Sequence, residues 1–327
     1  MATINWGIIG CGEVCEVKSG PAFQKVPGSQ LAAVMRRNGE KAADFARRHG
    51  VPRSYNQADQ LINDPEVNAV YIATPPDTHE AYTLAALHAG KPVYVEKPMA
   101  LSAAAAFRMQ EASRVLQVPL CVAHYRRQQP QYLKVLELLR TGAIGQVRNV
   151  ELKFVAPASA YDTTEARISW RVNPEISGGG IFHDLAPHQL DLMNYFFGQP
   201  KLVKGMATNT AGQYDPPDTL AAILQFEENI LLAANWFFAA PEGVKEDYCR
   251  INGSNGYLQF SIFGAPGITW LHDGAVEQIP FYPLMHVQEP MIAAVTQFFL
   301  GNGANPCPPA AGVVVMECME KIAGAGE

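Results

Sequence analysis

The sequence predicts an α/β protein of two domains, a parallel sheet with crossover helices over residues 1–123 and an antiparallel sheet with helices over residues 124–327. Before residue 123, short β-branched apolar runs alternate with amphipathic stretches, which is the pattern of parallel strands joined by helices. Beyond residue 200, apolar and polar residues alternate between turn signals, which is typical of antiparallel strands. The length of 327 residues also favours two domains over one.

Five or six strands are predicted in the first domain. The β-branched apolar runs are Ile4–Ile9, Leu31–Met35, Ala69–Ala73, Val93–Val95 and Leu120–Ala123. Helices are predicted between them at Lys41–His49, His79–Ala89 and Ala103–Leu116, and a further helix runs from the loop at Gly10 to Val26. Glycine and proline near residues 90–92 and at residue 119 end two of these helices before the next strand.

The second domain is predicted to mix helices and strands. Helices are expected at Tyr132–Arg140 and at about 181–197, and a strand at Val147–Phe154. The polar stretch from about 156 to 177 is expected to lack regular structure. The alternating segments that predict the antiparallel sheet are Leu220–Phe226, Ile230–Phe237 and Tyr248–Asn252.

Composition and charge exclude several classes of protein. Apolar residues make up 48% of the chain, enough to bury a core and to exclude intrinsic disorder. The net charge of −6 is opposite in sign to a surface that binds phosphates, so no nucleic acid partner is expected. No apolar run approaches the roughly 20 residues of a membrane helix, so no membrane partner is expected. The six cysteines form no C-x-x-C pair and no secretory leader pattern is seen, which predicts a cytoplasmic protein.

The run Gly10-Cys11-Gly12-Glu13-Val14-Cys15 follows the first predicted strand and begins a helix. This order is typical of a loop that binds the pyrophosphate of a dinucleotide at a helix N-terminus. Gly10 permits the tight turn, and Gly12 lets backbone N–H groups approach the phosphates. Cys15 stands where a third glycine or an alanine is usual, and we interpret it as a small packing residue. We therefore predict a dinucleotide site, and the alternative is a purely structural glycine turn.

The end of the second strand bears on the choice of dinucleotide. An acidic residue about 20 residues beyond the glycine loop usually accepts hydrogen bonds from the adenosine ribose of NAD. Here Arg36 and Arg37 follow Met35, and no carboxylate is present. Two guanidinium groups can bind a 2′-phosphate in bidentate fashion, so we expect NADP to be preferred over NAD. The alternative is a solvated basic turn without a ligand.

Two further strand ends are predicted at the same edge of the sheet, where parallel sheets bind ligands. The sequence Thr74-Pro75-Pro76-Asp77-Thr78-His79 follows one strand, and Glu96-Lys97-Pro98 closes the next. By itself His79 is interpreted as a residue of a loop or a helix start. Because a proline restricts the residue before it to an extended conformation, Lys97 is expected to point into the crevice. The alternative is an ordinary surface lysine.

A second group of candidate residues follows Gly178-Gly179-Gly180. Three glycines allow close approach of the backbone to a neighbour, and the helix beyond them places Asp184 and His188 on one face. Pro187 predicts either a position in the first helical turn or a kink. A metal site with His183 is not expected, because the H-x4-H spacing differs from H-E-x-x-H and no cysteine cluster supports it. The remaining alternative is an interior histidine at position 188.

The sequence resembles the Gfo/Idh/MocA family of nicotinamide-dependent oxidoreductases over nearly the whole chain. The resemblance lies in the glycine loop, in Thr74-Pro75-Pro76 with His79, in Glu96-Lys97-Pro98, and in Gly178-Gly179-Gly180 followed by Asp184-x-x-x-His188. It implies an N-terminal Rossmann domain with a doubly wound parallel sheet and a C-terminal α/β domain with an open, mainly antiparallel sheet. Such a sheet often forms the subunit interface, so a homodimer or homotetramer is expected.

The resemblance also implies a catalytic group of Lys97, Asp184 and His188, with Lys97 touching both nicotinamide and substrate. The expected cofactor-binding residues are Gly10, Cys11, Gly12, Glu13, Val14, Arg36, Arg37, Thr74, Pro75, Pro76, His79, Glu96 and Lys97. The expected substrate-binding residues are Arg127, Trp170, Arg171, Asp184 and His188, and Gln189 and Asp191 also suit the recognition of hydroxyl groups.

These residues predict hydride transfer between nicotinamide and a secondary alcohol or ketone. The resemblance implies a polyhydroxylated substrate, namely a sugar, a sugar alcohol, a keto-sugar or an inositol. Histidine suits the accompanying proton exchange because its pKa lies near 7. Three alternatives remain open: a nicotinamide-dependent glycosidase that acts by transient oxidation and elimination, an enzyme of aromatic dihydrodiols or tetrapyrroles, and an NADP-binding regulator without catalysis.

Overall fold

The computed structural model describes residues 3–158 and 170–324, which form two compact units. The first unit is Met1–Gln129 with Leu284–Val313, and the second is Pro130–Pro283 with Val314–Glu327. We call Leu284–Val313 the returning segment, because it follows the second unit in sequence but belongs to the first by its contacts. The predicted division between residues 123 and 124 places this segment in the second domain. The compact units differ from this predicted division because contacts between distant parts of a chain leave no local pattern in its sequence.

A six-stranded sheet forms the centre of the first unit. Its strands are β1 Ile4–Ile9, β2 Ser29–Met35, β3 Arg53–Tyr55, β4 Ala69–Ile72, β5 Val93–Val95 and β6 Leu120–Val122. Their order is β3-β2-β1-β4-β5-β6, and every neighbouring pair is parallel, which confirms the doubly wound sheet. The direction of winding reverses between β1 and β4, so the carboxyl ends of these strands border the crevice in which such sheets bind ligands.

Helices connect these strands. The described helices of the first unit are α1 Glu13–Val17, α2 Gly20–Lys25, α3 Gly39–His49, α4 Ala58–Ile62, α5 His79–His88, α6 Ala103–Leu116 and, in the returning segment, α10 Glu289–Phe299. Polar side chains start two of them. Asn38 accepts the N–H of Lys41 at 3.0 Å, and Ser102 accepts the N–H of Ala105 at 3.2 Å.

The single helix predicted from the glycine loop to Val26 is wrong. The chain forms α1 and α2 instead, with a break between Val17 and Gly20. Pro21 lies in the first turn of α2 and has no N–H to donate to an earlier turn. Gly20 packs so closely on α1 that a Cβ at this position would overlap the carbonyl oxygen of Cys15. The break leaves α1 as a short separate helix directly after the glycine loop.

An eight-stranded sheet forms the centre of the second unit. Its strands are β7 Val147–Val155, β8 Leu202–Thr208, β9 Thr219–Gln225, β10 Leu231–Phe237, β11 Glu246–Gly253, β12 Gly256–Phe260, β13 Gly267–His272 and β14 Ala275–Pro280. Their order is β14-β13-β12-β11-β7-β10-β9-β8. Among the described strands of this second sheet, only β7 and β10 pair in parallel, which confirms a mainly antiparallel sheet.

The remaining described helices are α7 Pro130–Arg140, α8 Pro174–Ser177, α9 Gly180–Phe197 and α11 Pro309–Ala323. The boundary between the two compact units passes through α11, between residues 313 and 314. Across residues 3–158 and 170–324, no helix has both the length and the apolar character needed to span a membrane.

One face of the eight-stranded sheet is covered by helices. The fully buried ring of Trp236 on β10 lies 5.1 Å from the ring of Phe182 on α9. Its indole N–H donates to the side-chain oxygen of Gln189, also on α9, at 2.6 Å. On β8, Gly205 leaves no space for a Cβ beside the backbone of Ile322 on α11. Because side chains alternate along a strand, the neighbouring residues of β8, β9 and β10 point to the opposite face, which is exposed.

The sequence predicts no regular structure over about 156–177, but this prediction is wrong for the last part of the stretch. Residues 159–169 lie outside the described residues. Trp170–Val172 form a 3₁₀ turn, and α8 follows it. The side chain of Asn173 accepts the N–H of Glu175 at 3.0 Å, and Gly178, with a φ of 85°, ends the helix. A helix of 4 residues is too short for its sequence periodicity to be recognised.

Candidate active site

The glycine loop is held against the ends of β2 and β4, the two strands that flank β1. The N–H groups of Gly10 and Cys11 both donate to the carbonyl oxygen of Met35 at the end of β2, at 2.9 and 3.1 Å. Gly10 has a φ of 94°, and a Cβ here would lie 2.8 Å from the backbone nitrogen of Thr74, just beyond β4. Glycine is therefore required at this position both by backbone conformation and by packing.

Gly12 differs from Gly10 because open space lies beside it. A Cβ at Gly12 would meet only the carbonyl oxygen of Gly10, at 3.8 Å. Gly12 is the N-cap of α1, and Glu13 and Val14 are the first residues of that helix. N–H groups in a first helical turn lack partners within the helix and bind anions well. The open approach and these N–H groups fit the pyrophosphate of a dinucleotide, with Glu13 and Val14 contributing their backbone.

The two cysteines of the loop are both fully buried, and Cys15 packs as a small residue, as predicted. Burial raises the pKa of the Cys11 thiol to about 11, although the nearby Arg36 guanidinium lowers it. Burial also raises the pKa of Cys15 far above its ordinary value, and its thiol donates to the carbonyl oxygen of Gly10 at 3.7 Å. Cys15 thus fills the third small position of the loop as a buried, protonated thiol.

Arg36 and Arg37 stand at the carboxyl end of β2 beside this loop. The backbone N–H of Arg36 donates to Tyr55 at 3.1 Å, and its charge reaches Cys11, as the pKa of that thiol indicates. Within the described ranges, neither guanidinium makes a side-chain hydrogen bond or an ion pair. By contrast, Arg48 pairs with Glu16 at 2.7 Å. Two cations at the predicted adenosine end of the site are therefore available to an anion.

His79 joins the loop after β4 to the loop after β5. It is the first residue of α5 and is fully buried. Nδ1 lies 2.9 Å from the carbonyl oxygen of Pro98, and Nε2 lies 2.8 Å from that of Thr74. Burial lowers the pKa of His79. Both ring nitrogens face protein carbonyls, so the geometry favours a role in holding the loops over direct contact with a cofactor.

Thr74, Pro75 and Pro76 form a short turn that His79 completes. The Thr78 hydroxyl donates to the Thr74 hydroxyl at 2.7 Å, and Pro76 begins a 3₁₀ turn. These residues lie at the crevice edge of the sheet, as predicted.

Glu96 is buried inside the first unit. Its Oε1 accepts hydrogen bonds from the Tyr71 hydroxyl and the Gln288 amide, each at 2.6 Å, and its Oε2 accepts the N–H of Lys97 at 3.2 Å. The pKa of Tyr71 is raised well above its ordinary value, first by burial and then by the Glu96 carboxylate, so the phenol remains a donor. The carboxylate expected to contact the cofactor thus supports the backbone of Lys97.

Lys97 follows β5 and is half-buried. The peptide bond between Lys97 and Pro98 is cis. In the same unit, the side chain of Arg127 is buried within the 3₁₀ turn Tyr125–Gln128. The first unit therefore carries Lys97, Arg127 and all the predicted cofactor residues.

In the second unit, three of the predicted substrate residues contact one another. Arg171 Nε donates to Asp184 Oδ2 at 2.8 Å, and the Arg171 guanidinium lies 4.8 Å from the ring centre of Trp170. Asp184 is on the first turns of α9, whereas Arg171 comes from the 3₁₀ turn before α8. The ion pair fixes the direction of the Asp184 carboxylate.

His188 lies on the same helix and is buried. Its ring is 5.8 Å from the ring of Phe263, in an edge-to-face arrangement. The loop that carries Phe263 is held by Asp247, whose carboxylate accepts the N–H groups of Phe263 and Gly264 at 2.6 and 2.8 Å. Pro187 lies in the interior of α9, so the helix continues through it.

The glycines before α9 allow close packing, as predicted. A Cβ at Gly179 would overlap the imidazole of His183, and one at Gly180 would lie 2.6 Å from Pro216. His183 Nδ1 lies 3.0 Å from the Gly179 carbonyl oxygen, and burial lowers the pKa of this histidine to about 4. His183 therefore stabilises the start of α9 as a neutral ring. In the described part of the chain, no three His, Cys, Asp or Glu side chains are grouped as metal ligands.

Two polar residues suggested for substrate recognition lie in the core. Gln189 is fully buried and accepts the Trp236 indole N–H, and Asp191 is buried as well. Conversely, Tyr71 and Gln288, which contact Glu96, were not predicted as functional residues. No local motif marks them, because Gln288 lies far along the chain in the returning segment.

Two family models match the chain. Residues 4–124 match the oxidoreductase family with an NAD-binding Rossmann fold, and residues 132–259 match the GFO/IDH/MocA C-terminal domain. Oxidoreductase P35 of Formosa agariphila is 42% identical over 321 residues, which cover 98% of each chain. The chain belongs to the GFO/IDH/MocA family of oxidoreductases. The predicted resemblance is confirmed, as are the NAD-binding Rossmann domain and the assignment as an enzyme.

Other GFO/IDH/MocA proteins resemble this one less closely. Levoglucosan dehydrogenase of Pseudarthrobacter phenanthrenivorans is 27% identical over 286 residues, which cover 82% of this chain and 73% of that protein. A solved structure of a levoglucosan dehydrogenase with NADH and levoglucosan has a TM-score of 0.85 at 21% identity, covering 99% of this chain and 97% of that one. At this identity, the likeness to the solved structure concerns the fold.

Substitutions at the two loop glycines should separate folding from dinucleotide binding. Gly10→Ala places a side chain at positive φ and against Thr74, so we expect a loss of stability of roughly 1–3 kcal/mol. Gly12→Ala meets open space, so the melting temperature should stay unchanged while the dinucleotide Kd rises about 10-fold or more, about 1.4 kcal/mol. Thermal unfolding and fluorescence titration measure the two effects. Unchanged dinucleotide affinity in Gly12→Ala would contradict the assignment of the glycine loop as the pyrophosphate site.

Proposed function

We propose that this oxidoreductase transfers a hydride between a nicotinamide dinucleotide, preferably NADP, and a secondary alcohol or ketone of a polyhydroxylated substrate. The observation that carries the proposal is the position of Lys97. In the unit that matches the NAD-binding oxidoreductase family, a half-buried lysine follows β5, and its backbone N–H is held by a buried carboxylate. The bound dinucleotide supplies the hydride acceptor or donor.

Lys97, Asp184 and His188 are the proposed catalytic group, which requires Lys97 and His188 to meet at one substrate. His188 exchanges the proton of the substrate hydroxyl, because an imidazole titrates near neutral pH. The Lys97 ammonium donates a hydrogen bond that stabilises negative charge on the substrate oxygen. Asp184, oriented by Arg171, positions its partners and balances the positive charge of Lys97.

A sugar, a sugar alcohol, a keto-sugar or an inositol is the proposed substrate class. Support comes from the similarity to levoglucosan dehydrogenase and from the chemistry of the predicted substrate-binding side chains. The Trp170 ring offers an apolar surface for a sugar ring, and Arg171 stacks on it. Arg127 adds a buried guanidinium as a donor for hydroxyl groups. A spectrophotometric screen of sugars, polyols and a dihydrodiol with both dinucleotides tests the class, and turnover without a net change in nicotinamide absorbance would favour the glycosidase instead.

Removal of the proposed catalytic side chains should stop the chemistry but not dinucleotide binding. We expect Lys97→Ala and His188→Ala each to lower kcat by about 100-fold or more, which is the lower range for lost acid–base or charge stabilisation. The dinucleotide Kd should change little. Lys134→Ala, at a partly exposed lysine of α7, and His88→Ala, at an exposed histidine of α5, are matched controls. Near-normal turnover in both catalytic variants would refute the assignment.

Arg36 and Arg37 are the proposed determinants of NADP preference. Support comes from their position at the end of β2 and from the lack of an acid partner for either guanidinium within residues 3–158 and 170–324. A 2′-phosphate would accept charge-assisted hydrogen bonds from them.

Replacement of Arg36 by aspartate should reverse this preference. The new carboxylate repels a 2′-phosphate and accepts hydrogen bonds from a ribose, so the ratio of kcat/KM for NADP to that for NAD should fall about 10-fold or more, a change of about 1.4 kcal/mol. Arg114→Asp, on the exposed surface of α6, should leave the ratio unchanged. Preference of the unaltered enzyme for NAD would contradict the proposal.

We further propose a homodimer or homotetramer formed through the exposed face of the eight-stranded sheet. Four apolar side chains lie there on β8, β9 and β10, namely Leu202, Met206, Ile223 and Leu231, and Met206 is 80% exposed. Contiguous apolar surface of this kind is typical of subunit interfaces, and a two-fold axis lets one such face cover its copy.

The cytoplasm is the proposed location, supported by six buried free thiols, which suit a reducing compartment.

A charge on this face should dissociate the oligomer. Ile223 lies between Lys204 and Ala233 on the exposed face, so Ile223→Lys places a second ammonium there and buries charge on association. We expect light scattering after gel filtration to give the mass of one chain for this variant and a multiple of it for the unaltered protein. Val276→Lys, on the outermost strand β14, serves as the control. A monomeric unaltered protein would exclude the interface.

A further inference from the structure

The returning segment brings one residue to both functional loops of the first unit. Gln288 is the N-cap of α10, and its backbone N–H donates to the carbonyl oxygen of Lys18, directly after α1, at 3.3 Å. Its side-chain amide donates to Glu96 Oε1 at 2.6 Å. The backbone of Gln288 therefore contacts the helix of the dinucleotide loop, and its side chain contacts the residue before Lys97.

The Gln288 amide is held in one orientation by buried neighbours. Its oxygen accepts the Tyr94 hydroxyl at 3.2 Å, and its nitrogen donates to Glu96 and approaches the Tyr71 hydroxyl at 3.4 Å. Tyr71, Tyr94, Glu96 and Gln288 are all buried. Because a carboxylate only accepts, rotation of the amide by half a turn would set the amide oxygen against the Glu96 carboxylate. The cluster thus defines a single arrangement of β4, β5 and α10.

A second contact ties the returning segment to α1. His286 is buried, and its Nδ1 donates to the carbonyl oxygen of Val17, the last residue of α1, at 2.6 Å. Its Nε2 then accepts a hydrogen bond from the Lys25 ammonium at 2.8 Å. With the N–H of Gln288 on Lys18, two successive carbonyls at the end of α1 have donors from the returning segment.

We propose that Gln288 is a positioning residue that sets the geometry of Lys97 relative to the dinucleotide loop. The proposal rests on the proposed role of Lys97. The path is short: Gln288 holds Glu96 Oε1, Glu96 Oε2 holds the N–H of Lys97, and the backbone of Gln288 is fixed on the end of α1. A shift of the Glu96 carboxylate moves the Lys97 backbone, and small misplacements of a reacting group reduce turnover strongly.

Gln288→Met tests this role, since methionine has a similar length, keeps the backbone N–H and cannot donate to Glu96. We expect kcat to fall roughly 10-fold or more, because Lys97 loses its fixed position, while the dinucleotide Kd changes less than about 3-fold. Hydrogen exchange should become faster in the peptide that covers residues 94–100 and stay unchanged in β1 and α1. Gln297→Met, an exposed glutamine on the same helix, is the control.

A second variant tests the path through Glu96. Glu96→Gln has one acceptor oxygen for three donors, so it loses the contact to Lys97 or the contact to Gln288. We expect the same selective fall in kcat, and the double variant should be no worse than the more damaging single one, because both changes break one path. Additive losses in the double variant would overturn the proposal.

The outcomes separate this inference from the proposed function. Unchanged kcat and unchanged exchange at residues 94–100 in Gln288→Met would overturn the inference. So would faster exchange throughout the first unit together with weaker dinucleotide binding, since that result indicates a purely structural residue. If no substrate is found for the unaltered enzyme, the proposed function fails. Hydrogen exchange and dinucleotide titration still decide whether Gln288 holds the Lys97 loop.

Discussion

The parallel pairing of β1 with β2 on one side and with β4 on the other is the constraint on which the first unit depends. It brings the ends of three strands together, and the residues that follow them include Gly10, Arg36 and Thr74. The hydrogen bond from Gly10 to Met35, and the lack of space between Gly10 and Thr74, join these strand ends directly. The strand order therefore places the glycine loop and Arg36 at the edge where doubly wound sheets bind ligands.

Buried polar groups then fix the loops that the sheet has assembled. Glu96 has a donor on each oxygen, and His79 has a carbonyl beside each ring nitrogen. Leaving one such group without its partner costs about 1–3 kcal/mol, so the clusters tolerate few alternative arrangements. Glu96 and His79, both predicted as cofactor-binding residues, thus hold the loops on which they lie. They hold a lysine whose own side chain remains half-buried at the edge of the sheet.

The sheet of the second unit differs from that of the first because helices cover only one of its faces, although both faces carry apolar side chains. On the covered face, Trp236 and Leu232 of β10 are fully buried. Burial of such side chains stabilises the unit by about 1.5–3 kcal/mol each. Before α9, Gly179 gives the ring of His183 room, and Arg171 orients Asp184. On the opposite face, Met206 and Ile223 remain exposed.

Local patterns in the sequence were sufficient to predict five of the six strands of the first unit, the glycine loop, the helix that carries Asp184 and His188, and the family, whereas the short strand β3 was not predicted. Each of the predicted features leaves a local signal in periodicity, in Gly and Pro positions or in a short motif. Three features became visible only in the folded chain: the helix after the loop breaks before Gly20, Leu284–Val313 joins the first unit, and Gln288 contacts Glu96. These features depend on contacts between residues far apart in the chain, and such contacts arise from packing and hydrogen bonding that no short stretch of sequence records.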